Sequence, residues 1–219
     1  MMLEIKNLTH YFKDASHPLY QDVNLSFEPG KMYAVVGESG SGKTTLLSFL
    51  AGLDTPKQGQ ILLDGKDVNK IGLGNFRRDD VAIIFQSYNL LNYMSAYQNV
   101  KSALSITHSK HVGDKNYILA ALAKVGIDEA NAMKNVQQLS GGQQQRVAIV
   151  RAMLVDAPIV AADEPTGNLD AENSSAIVEL FKNLTRELNK TVIIITHDQN
   201  VAQQADVQIQ LADHQFKAN

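Results

Sequence analysis

The sequence contains no cysteine, which excludes disulfide bonds and thiolate metal sites and fits a reducing compartment. Lys and Arg number 20 against 23 Asp and Glu, a formal net charge of −3, and no basic run marks one face for nucleic acid. The sequence contains no run of about eighteen apolar residues, the length that a membrane-spanning helix needs. The start, "MMLEIKNLTHYF", lacks the basic and apolar regions of a signal peptide. We therefore expect a soluble, cytoplasmic protein that does not bind nucleic acid.

Short apolar runs along the chain predict a parallel β-sheet. The 219 residues are enough for one large domain or for a core with an inserted lobe. Helical patterns at 44–53, 143–154 and 173–188 lie between apolar runs that are typical of strands covered on both faces. These runs are "KMYAVVG" (31–37), "VAIIFQ" (81–86), "APIVAAD" (157–163) and "KTVIIITH" (190–197). We predict an α/β core from this order.

The remaining segments have different patterns. Residues 23–27 alternate apolar and polar side chains, as in a strand with one wet face, and Asp64-Gly65 is a two-residue hairpin signal. The segment 88–157 has helical periodicity and no convincing strand. We therefore predict a helical lobe of residues 88–157 inserted into a core formed by residues 1–87 and 158–219.

The stretch "GESGSGKT" has the composition and spacing of a phosphate-binding loop between a buried strand and a helix. Glycines let successive N–H groups point at an anion, and the helix start adds its positive end. Lys43 is then placed to reach the β- and γ-phosphates, and the Thr44 hydroxyl to bind Mg²⁺. A plain Gly-Ser turn is the alternative, but strand, spacing and helix all agree with the loop. The predicted nucleotide ligands are Gly37, Glu38, Ser39, Gly40, Ser41, Gly42, Lys43, Thr44 and Thr45.

Two carboxylates follow another buried strand, at Asp163 and Glu164. Ligand sites in open α/β sheets gather at the carboxyl ends of strands, so these acids are expected beside the phosphate loop. Asp163 suits the shell of a metal ion, and Glu164 suits activation of the attacking water. The alternative is that both acids cap the next helix. His197 follows a further strand and is predicted to contact the γ-phosphate or the water, unless it is a structural histidine.

The stretch "LSGGQ" predicts a second anion site in the same chain. Ser140 can cap the following helix, while Gly141 and Gly142 leave backbone N–H groups exposed. On a separate helical lobe this site lies too far from Lys43 to touch the same nucleotide. We therefore predict that it binds a nucleotide held by a second copy, with two chains head to tail around two ATP molecules.

In this order, the motifs of the chain resemble those of ABC-type ATPases, and the resemblance covers nearly the whole sequence. It implies a P-loop NTPase (RecA-like) α/β core with an N-terminal antiparallel β subdomain and an inserted α-helical subdomain. It also implies an ATPase that closes as a homodimer on ATP and drives a membrane permease. By position, Gln86 would sense Mg²⁺ and the water, and Tyr11 would stack on adenine, unless Tyr11 only packs. The implied trans-acting signature is Leu139, Ser140, Gly141, Gly142 and Gln143, the implied interface loop is Asn168, Leu169 and Asp170, and the implied metal ligands are Thr44, Gln86 and Asp163.

Within this family, "GLDTPKQGQ", "FQSYNLL" and "ADEPTGNLD" resemble the MacB, LolD and FtsE branch, which includes peptide-antibiotic resistance exporters. The branch implies a permease that transmits force to a large extracytoplasmic domain, with this chain on the inner face of the cell membrane. Two stretches depart from it: 102–116 is short, and 211–216 lacks the usual Asp-Gly turn. Neither touches the predicted catalytic residues.

Two other functions fit the sequence less well than transport. A soluble ABC protein acting on ribosomes, DNA or cluster assembly would be expected to carry two cassettes, coiled coils or zinc modules, and this sequence has one cassette and none of those additions. A P-loop kinase or GTPase leaves "LSGGQ" unexplained, and the Asn-Lys-x-Asp guanine signal is absent. Transport is therefore the favoured hypothesis and the soluble ABC protein its alternative.

Overall fold

A computed structural model describes residues 1–107, 109–167, 169, 171–212 and 215–218 of the chain. Strands and helices alternate through most of this part, as expected for an α/β protein. The strands are β1 (Leu3–His10), β2 (Tyr20–Phe27), β3 (Met32–Gly37), β4 (Gln58–Leu63), β5 (Lys66–Asp67), β6 (Val81–Ile84), β7 (Ile159–Asp163), β8 (Thr191–Ile195), β9 (Val207–Ala212) and β10 (Gln215–Ala218). The helices are α1 (Lys43–Leu50), α2 (Val68–Ile71), α3 (Leu73–Asp79), α4 (Ala96–Ile106), α5 (Lys115–Lys124), α6 (Glu129–Met133), α7 (Gly141–Leu154), α8 (Ala171–Leu188) and α9 (Gln199–Ala202).

The core is a six-stranded sheet in the order β10-β9-β3-β8-β7-β6. The five strands from β9 to β6 run parallel, and β10 pairs antiparallel with β9. All five residues of β8 are buried, because helices and the second sheet cover both faces of these apolar strands. The four apolar runs in the sequence therefore form β3, β6, β7 and β8, as predicted.

The second sheet is antiparallel, in the order β2-β1-β4-β5. The predicted hairpin joins β4 to β5, with φ values of 47° at Asp64 and 76° at Gly65. Positive φ at both central residues suits the right-handed twist of the flanking strands. The predicted α/β core with an antiparallel β subdomain is thus confirmed.

Four helices, α4 to α7, lie between β6 and β7, in the stretch assigned above to a helical lobe. Their shared core contains Val100, Leu104, Ile118, Leu122 and Val147, all fully buried. Both α4 and α7 begin with a capping box, in which an N-cap serine and a glutamine three residues later bond reciprocally. No helix in the described part of the chain is both long and apolar enough to cross a membrane. The division at 88 and 157 stays a prediction.

Helix α1 is shorter than the sequence pattern predicts. The helix predicted for 44–53 ends at Leu50, because Gly52 adopts a left-handed backbone with φ 63° that turns the chain. An added Cβ at Gly52 would come within 2.8 Å of the Phe76 ring. The turn at 213–214, where the sequence departs from the MacB-like pattern, lies outside the described residues.

Lys190 anchors the last turn of α7 to the core. Its buried ammonium donates to the carbonyls of Val155, the C-cap of α7, and Ala157, each at 2.7 Å. A cation here also complements the negative end of the helix dipole. Burial lowers the pKa of Lys190 to about 8, against the opposing attraction of Asp156.

We expect Lys190→Met to lower the free energy of unfolding by about 2 kcal/mol at neutral pH, because two buried carbonyls lose their donor. The unfolded chain keeps its proton up to about pH 10.4, whereas the folded chain releases it near pH 8. The Lys190 contribution to stability therefore rises with pH between these values. Urea unfolding of both proteins from pH 7 to 10 measures this.

Lys182→Met, which removes a surface amine bonded to Gln204 at 2.9 Å, controls for the loss of one positive charge. A stability difference between wild type and Lys190→Met that stays flat or shrinks as the pH rises would contradict the expectation.

Candidate functional site

The carboxyl ends of the parallel strands meet around one open cavity of ≈ 450 Å³. The loop after β3 forms one side, and the segments after β6, β7 and β8 contribute Gln86, Glu164 and His197. The parallel register explains this convergence, since Asp163 at the end of β7 pairs with Ile195 at the end of β8. The cavity is lined by Phe12, Leu19, Ser39, Gly40, Gly42, Lys43, Thr44, Thr45, Gln86, Glu164, Ile195 and His197.

The predicted phosphate loop curls around its own lysine. Lys43, only 8% exposed, donates through Nζ to the carbonyls of Gly37 and Glu38, each at 2.8 Å. Gly40 and Gly42 have φ values of 78° and 107°, which L side chains rarely adopt. The loop is therefore built by backbone geometry that requires glycine, with the ammonium held at its centre.

Six of the nine predicted nucleotide ligands line the cavity, from Ser39 to Thr45 without Ser41. Gly37 ends β3, where an added Cβ would come within 2.8 Å of the Leu211 carbonyl oxygen, and Glu38 contributes its carbonyl to Lys43. The Ser41 hydroxyl is buried without a hydrogen-bond partner among the described residues. These three residues belong to the loop but do not line the cavity.

Tyr20 supports the loop from the β subdomain, a contact that the sequence pattern did not predict. Its hydroxyl donates to the Gly42 carbonyl. An added Cβ at Gly42 would lie 2.5 Å from this hydroxyl oxygen. Tyr20 is fully buried at the start of β2, and burial raises its pKa. It therefore stays a neutral hydroxyl donor in the physiological pH range.

Three predicted metal ligands face the same region. The Thr44 hydroxyl hydrogen-bonds to the Asp163 carboxylate, and Gln86 lines the main cavity with Thr44 and a smaller one with Asp163. Burial raises the pKa of Asp163, as does the charge of Glu164, while Thr44 and Lys43 act in the opposite direction. Asp163 Oδ1 is buried and has no hydrogen-bond partner in the described structure. This oxygen-only donor set with an open carboxylate oxygen fits Mg²⁺.

Glu164 and His197 form a directly bonded pair. Glu164 Oε1 lies 2.8 Å from His197 Nδ1, and the glutamate side chain is 16% exposed against 72% for the histidine. Glu164 has a left-handed backbone with φ 45°, and its N–H donates to the Ile195 carbonyl. Its Oε2 atom is buried and lacks a partner among the described residues. One carboxylate oxygen is thus fixed by histidine, and the other is left to accept.

The aromatic residue at this cavity is Phe12, whereas the sequence pattern indicated Tyr11. Phe12 is 68% exposed and packs edge-on against His10 at a ring distance of 5.2 Å. His10 packs in turn on Phe49 of α1 at 4.9 Å. The stack ties Phe12 to the helix that begins at the phosphate loop, whereas Tyr11 does not line the cavity.

The predicted signature residues do not line this cavity. Ser140 is exposed at the start of α7, where its hydroxyl accepts from the Gln143 N–H at 3.3 Å and Gln143 Oε1 accepts from the Ser140 N–H at 2.9 Å. Leu139 is buried beneath the turn. The first helical residues, Gly141 and Gly142, therefore leave an open helix start outside the phosphate-loop cavity of the same chain.

The predicted interface loop is described only at Leu169; Asn168 and Asp170 lie outside the described residues. Leu169 lines a second cavity of ≈ 600 Å³ that shares Glu164 and His197 with the first. The Glu164–His197 pair therefore separates the phosphate-loop cavity from the segment predicted to cross a dimer interface.

Relatives of the chain span its whole length. Residues 20–167 match the family model described as ABC transporter. The ABC transporter ATP-binding protein YclH of Bacillus subtilis is 51% identical over 215 residues, which are 98% of this chain and 95% of YclH. The macrolide export ATP-binding/permease protein MacB of Hyphomonas neptunium is 40% identical over 97% of this chain, but only 33% of MacB is covered.

Solved structures of the cassette MJ0796 of Methanocaldococcus jannaschii superpose with a TM-score of 0.88 at 34% identity, over 99% of this chain and 97% of that one. One is described as a dimer and another as a post-hydrolysis dimer bound to ADP and Pi. Together, the family match, the whole-length relatives and the fold establish that this chain belongs to the ABC transporter family, as an ATP-hydrolysing ATP-binding subunit.

Proposed function

We propose that two copies of the chain close head to tail around two ATP molecules and thereby drive a membrane permease of the MacB type. The observation that carries the proposal is the separation of two half-sites. The cavity holds Lys43, Asp163 and Glu164, while the open helix start at Ser140 lies outside it. A second copy supplies the missing half to each nucleotide.

The phosphate loop, Gly37 to Thr45, holds the triphosphate of ATP in this proposal. Backbone N–H groups and the start of α1 face the phosphates, and Lys43 exchanges its two carbonyl partners for phosphate oxygens. The exchange costs little, because both arrangements satisfy the ammonium. Phe12 lies against the adenine at the rim of the cavity.

Thr44, Gln86 and Asp163 would hold Mg²⁺ with the phosphate oxygens. The ion supplies charge neutralisation on the transferred phosphoryl group. It also gives the buried Asp163 a positive partner, which offsets the cost of burying two adjacent carboxylates. The Thr44 hydroxyl, bonded to Asp163, is already positioned beside that carboxylate.

Glu164 acts as the general base for hydrolysis. As the water oxygen bonds to the γ-phosphorus, its proton passes to Glu164 Oε2, and the bond to the ADP oxygen breaks. The proton then leaves with the phosphate product, so that ATP and water give ADP and phosphate. His197, bonded to Glu164 Oε1, fixes the carboxylate and faces the γ-phosphate.

The partner of the dimer is proposed to be a permease with a large extracytoplasmic domain, which places this chain on the inner face of the membrane. Support comes from the macrolide export ATP-binding/permease protein MacB, whose name joins both functions and of which this chain matches 33%. The remaining two thirds of MacB lie outside this match.

We expect Phe12→Ala to weaken ATP binding about 10-fold, because loss of base stacking costs about 1–3 kcal/mol. Tyr11→Ala is the matched comparison, since Tyr11 does not line the cavity. Titration calorimetry with ATP and Mg²⁺ measures both affinities. A larger loss for Tyr11→Ala would return the adenine contact to Tyr11.

We expect Glu164→Gln to slow ATP hydrolysis by about 10²- to 10⁴-fold, the usual contribution of a positioned general base. ATP-bound dimers should persist, because the amide keeps the shape of the side chain. Phosphate release and gel filtration with ATP measure the two effects. Glu179→Gln, at an exposed glutamate of α8, is the control, and rapid turnover by Glu164→Gln would refute the assignment.

The same trapped variant tests the permease. Glu164→Gln is expressed in the native host, and the membranes are solubilised gently in the presence of ATP. We expect the variant to copurify with an integral membrane protein that has a large extracytoplasmic domain. Mass spectrometry identifies what is bound. Recovery of soluble partners alone would overturn the transport proposal in favour of a soluble ABC ATPase.

A further inference from the structure

Helix α7 is bonded to two of the catalytic segments of its own chain. It begins at the signature residues, and two of its side chains reach backbone carbonyls near Gln86 and Glu164. These side chains are Gln145 and Arg151, to which the sequence motifs assign no role. Each contact joins residues that are far apart in the chain, so helix propensity does not explain it.

Arg151 holds the segment that follows Gln86. Its guanidinium donates to the carbonyl oxygens of Asn89 at 2.7 Å and Tyr88 at 3.0 Å. Tyr88 and Asn89 are consecutive non-glycine residues with φ values of 63° and 46°, a strained backbone that persists only where its surroundings hold it. The planar, forked guanidinium suits this pair of acceptors better than a single ammonium.

Tyr88 also reaches the other end of α7. An added Cβ at Gly141 would lie 3.4 Å from the Tyr88 hydroxyl oxygen, so this side chain lies beside the signature turn. The turn after Gln86 therefore contacts α7 at two places, through its carbonyls at Arg151 and through its side chain at Gly141. A displacement of α7 must carry this turn with it.

Gln145 holds the segment that follows Glu164. Its side chain is 1% exposed, and its Nε2 donates to the Pro165 carbonyl at 2.8 Å. Its Oε1 atom is buried with no partner in the described part of the chain. A buried amide with one unused oxygen costs stability, and an apolar side chain of the same length would avoid that cost.

We propose that Gln145 and Arg151 are positioning residues through which α7 couples the signature motif to Glu164 and Gln86 of the same chain. The inference rests on the head-to-tail arrangement proposed above. There, the signature of one chain contacts the nucleotide of its partner, whereas Glu164 and Gln86 act on their own nucleotide. Engagement of one nucleotide thus sets the catalytic groups at the other.

This coupling makes hydrolysis depend on both sites. When the signature of a chain contacts no nucleotide, α7 does not shift. The Gln86 turn and the Glu164 segment, which are bonded to α7, then also stay where they are. Misplacement of a catalytic group by about 1 Å can cost about 10²-fold in rate. ATP binding should not need the two contacts, because neither residue lines the nucleotide cavity. Dimer closure is expected to persist as well, because the signature turn keeps its own capping box.

The test separates binding from catalysis in Gln145→Met and Arg151→Met. We expect kcat for ATP to fall about 10- to 100-fold in each variant, with KM and ATP-dependent dimerisation within about twofold of the wild type. Dimerisation is measured by gel filtration on chains in which each substitution is combined with Glu164→Gln, so that ATP is not consumed. The double variant should lose less than the product of the two single losses, because both act through one helix.

The matched controls are Gln203→Met and Arg186→Met, which make the same replacements at exposed positions outside α7. Arg151→Lys should recover part of kcat, since an ammonium can bond one of the two carbonyls. If the thermal midpoint of Arg151→Met shows that it does not fold, Arg151→Lys replaces it in the test, and its kcat should then lie below that of the wild type. Unchanged kcat in folded variants, or parallel losses of kcat, ATP affinity and dimerisation, would overturn the coupling. Failure of the wild type to dimerise with ATP would instead overturn the proposed function.

Discussion

Parallel pairing of β3, β8, β7 and β6 is the constraint on which the rest of the structure depends. It aligns the carboxyl ends of these strands, so that the segments after them meet at one edge. The strands are apolar and buried on both faces, as is typical of a parallel sheet. A shift of one residue would turn Asp163 and Ile195 away from each other. The catalytic geometry is therefore a consequence of hydrophobic packing.

Charge collects at this edge at an energetic cost. Asp163 and Glu164 are adjacent and partly buried, and each has one oxygen without a partner among the described residues. Unpaired buried carboxylate oxygens destabilise a folded protein unless a cation or a donor arrives. The site thus holds two carboxylates at a cost in stability that the proposed nucleotide and Mg²⁺ would offset, and ligand binding is expected to stabilise the fold.

Motifs with short-range geometry could be predicted from the sequence. The phosphate loop, Asp163 with Glu164, and His197 each follow a strand that its own apolar run identifies. The resemblance indicated Tyr11 as the aromatic residue, whereas Phe12 is the one that lines the cavity. Both residues follow the end of β1 at His10, so strand alternation does not tell from the sequence which of the two faces the cavity.

Contacts across the chain had no local signal at all. Arg151 reaches carbonyls 62 and 63 positions away, and Tyr20 reaches Gly42 from another sheet. Neither residue type is unusual in a helix or a strand, so only the folded arrangement reveals what it binds. Lys190 is similar, as its buried amine is explained by carbonyls 33 and 35 positions earlier.

The position of β3 in the sheet has a consequence for synthesis on the ribosome. β3 comprises residues Met32–Gly37, yet both of its neighbours, β8 and β9, lie after residue 190. Until those strands emerge, the nascent chain carries an apolar strand with two unpaired edges. Exposed edges of this kind favour aggregation, and distant pairing slows folding. The strand that leads into the phosphate loop is thus translated well before the two strands that cover its edges.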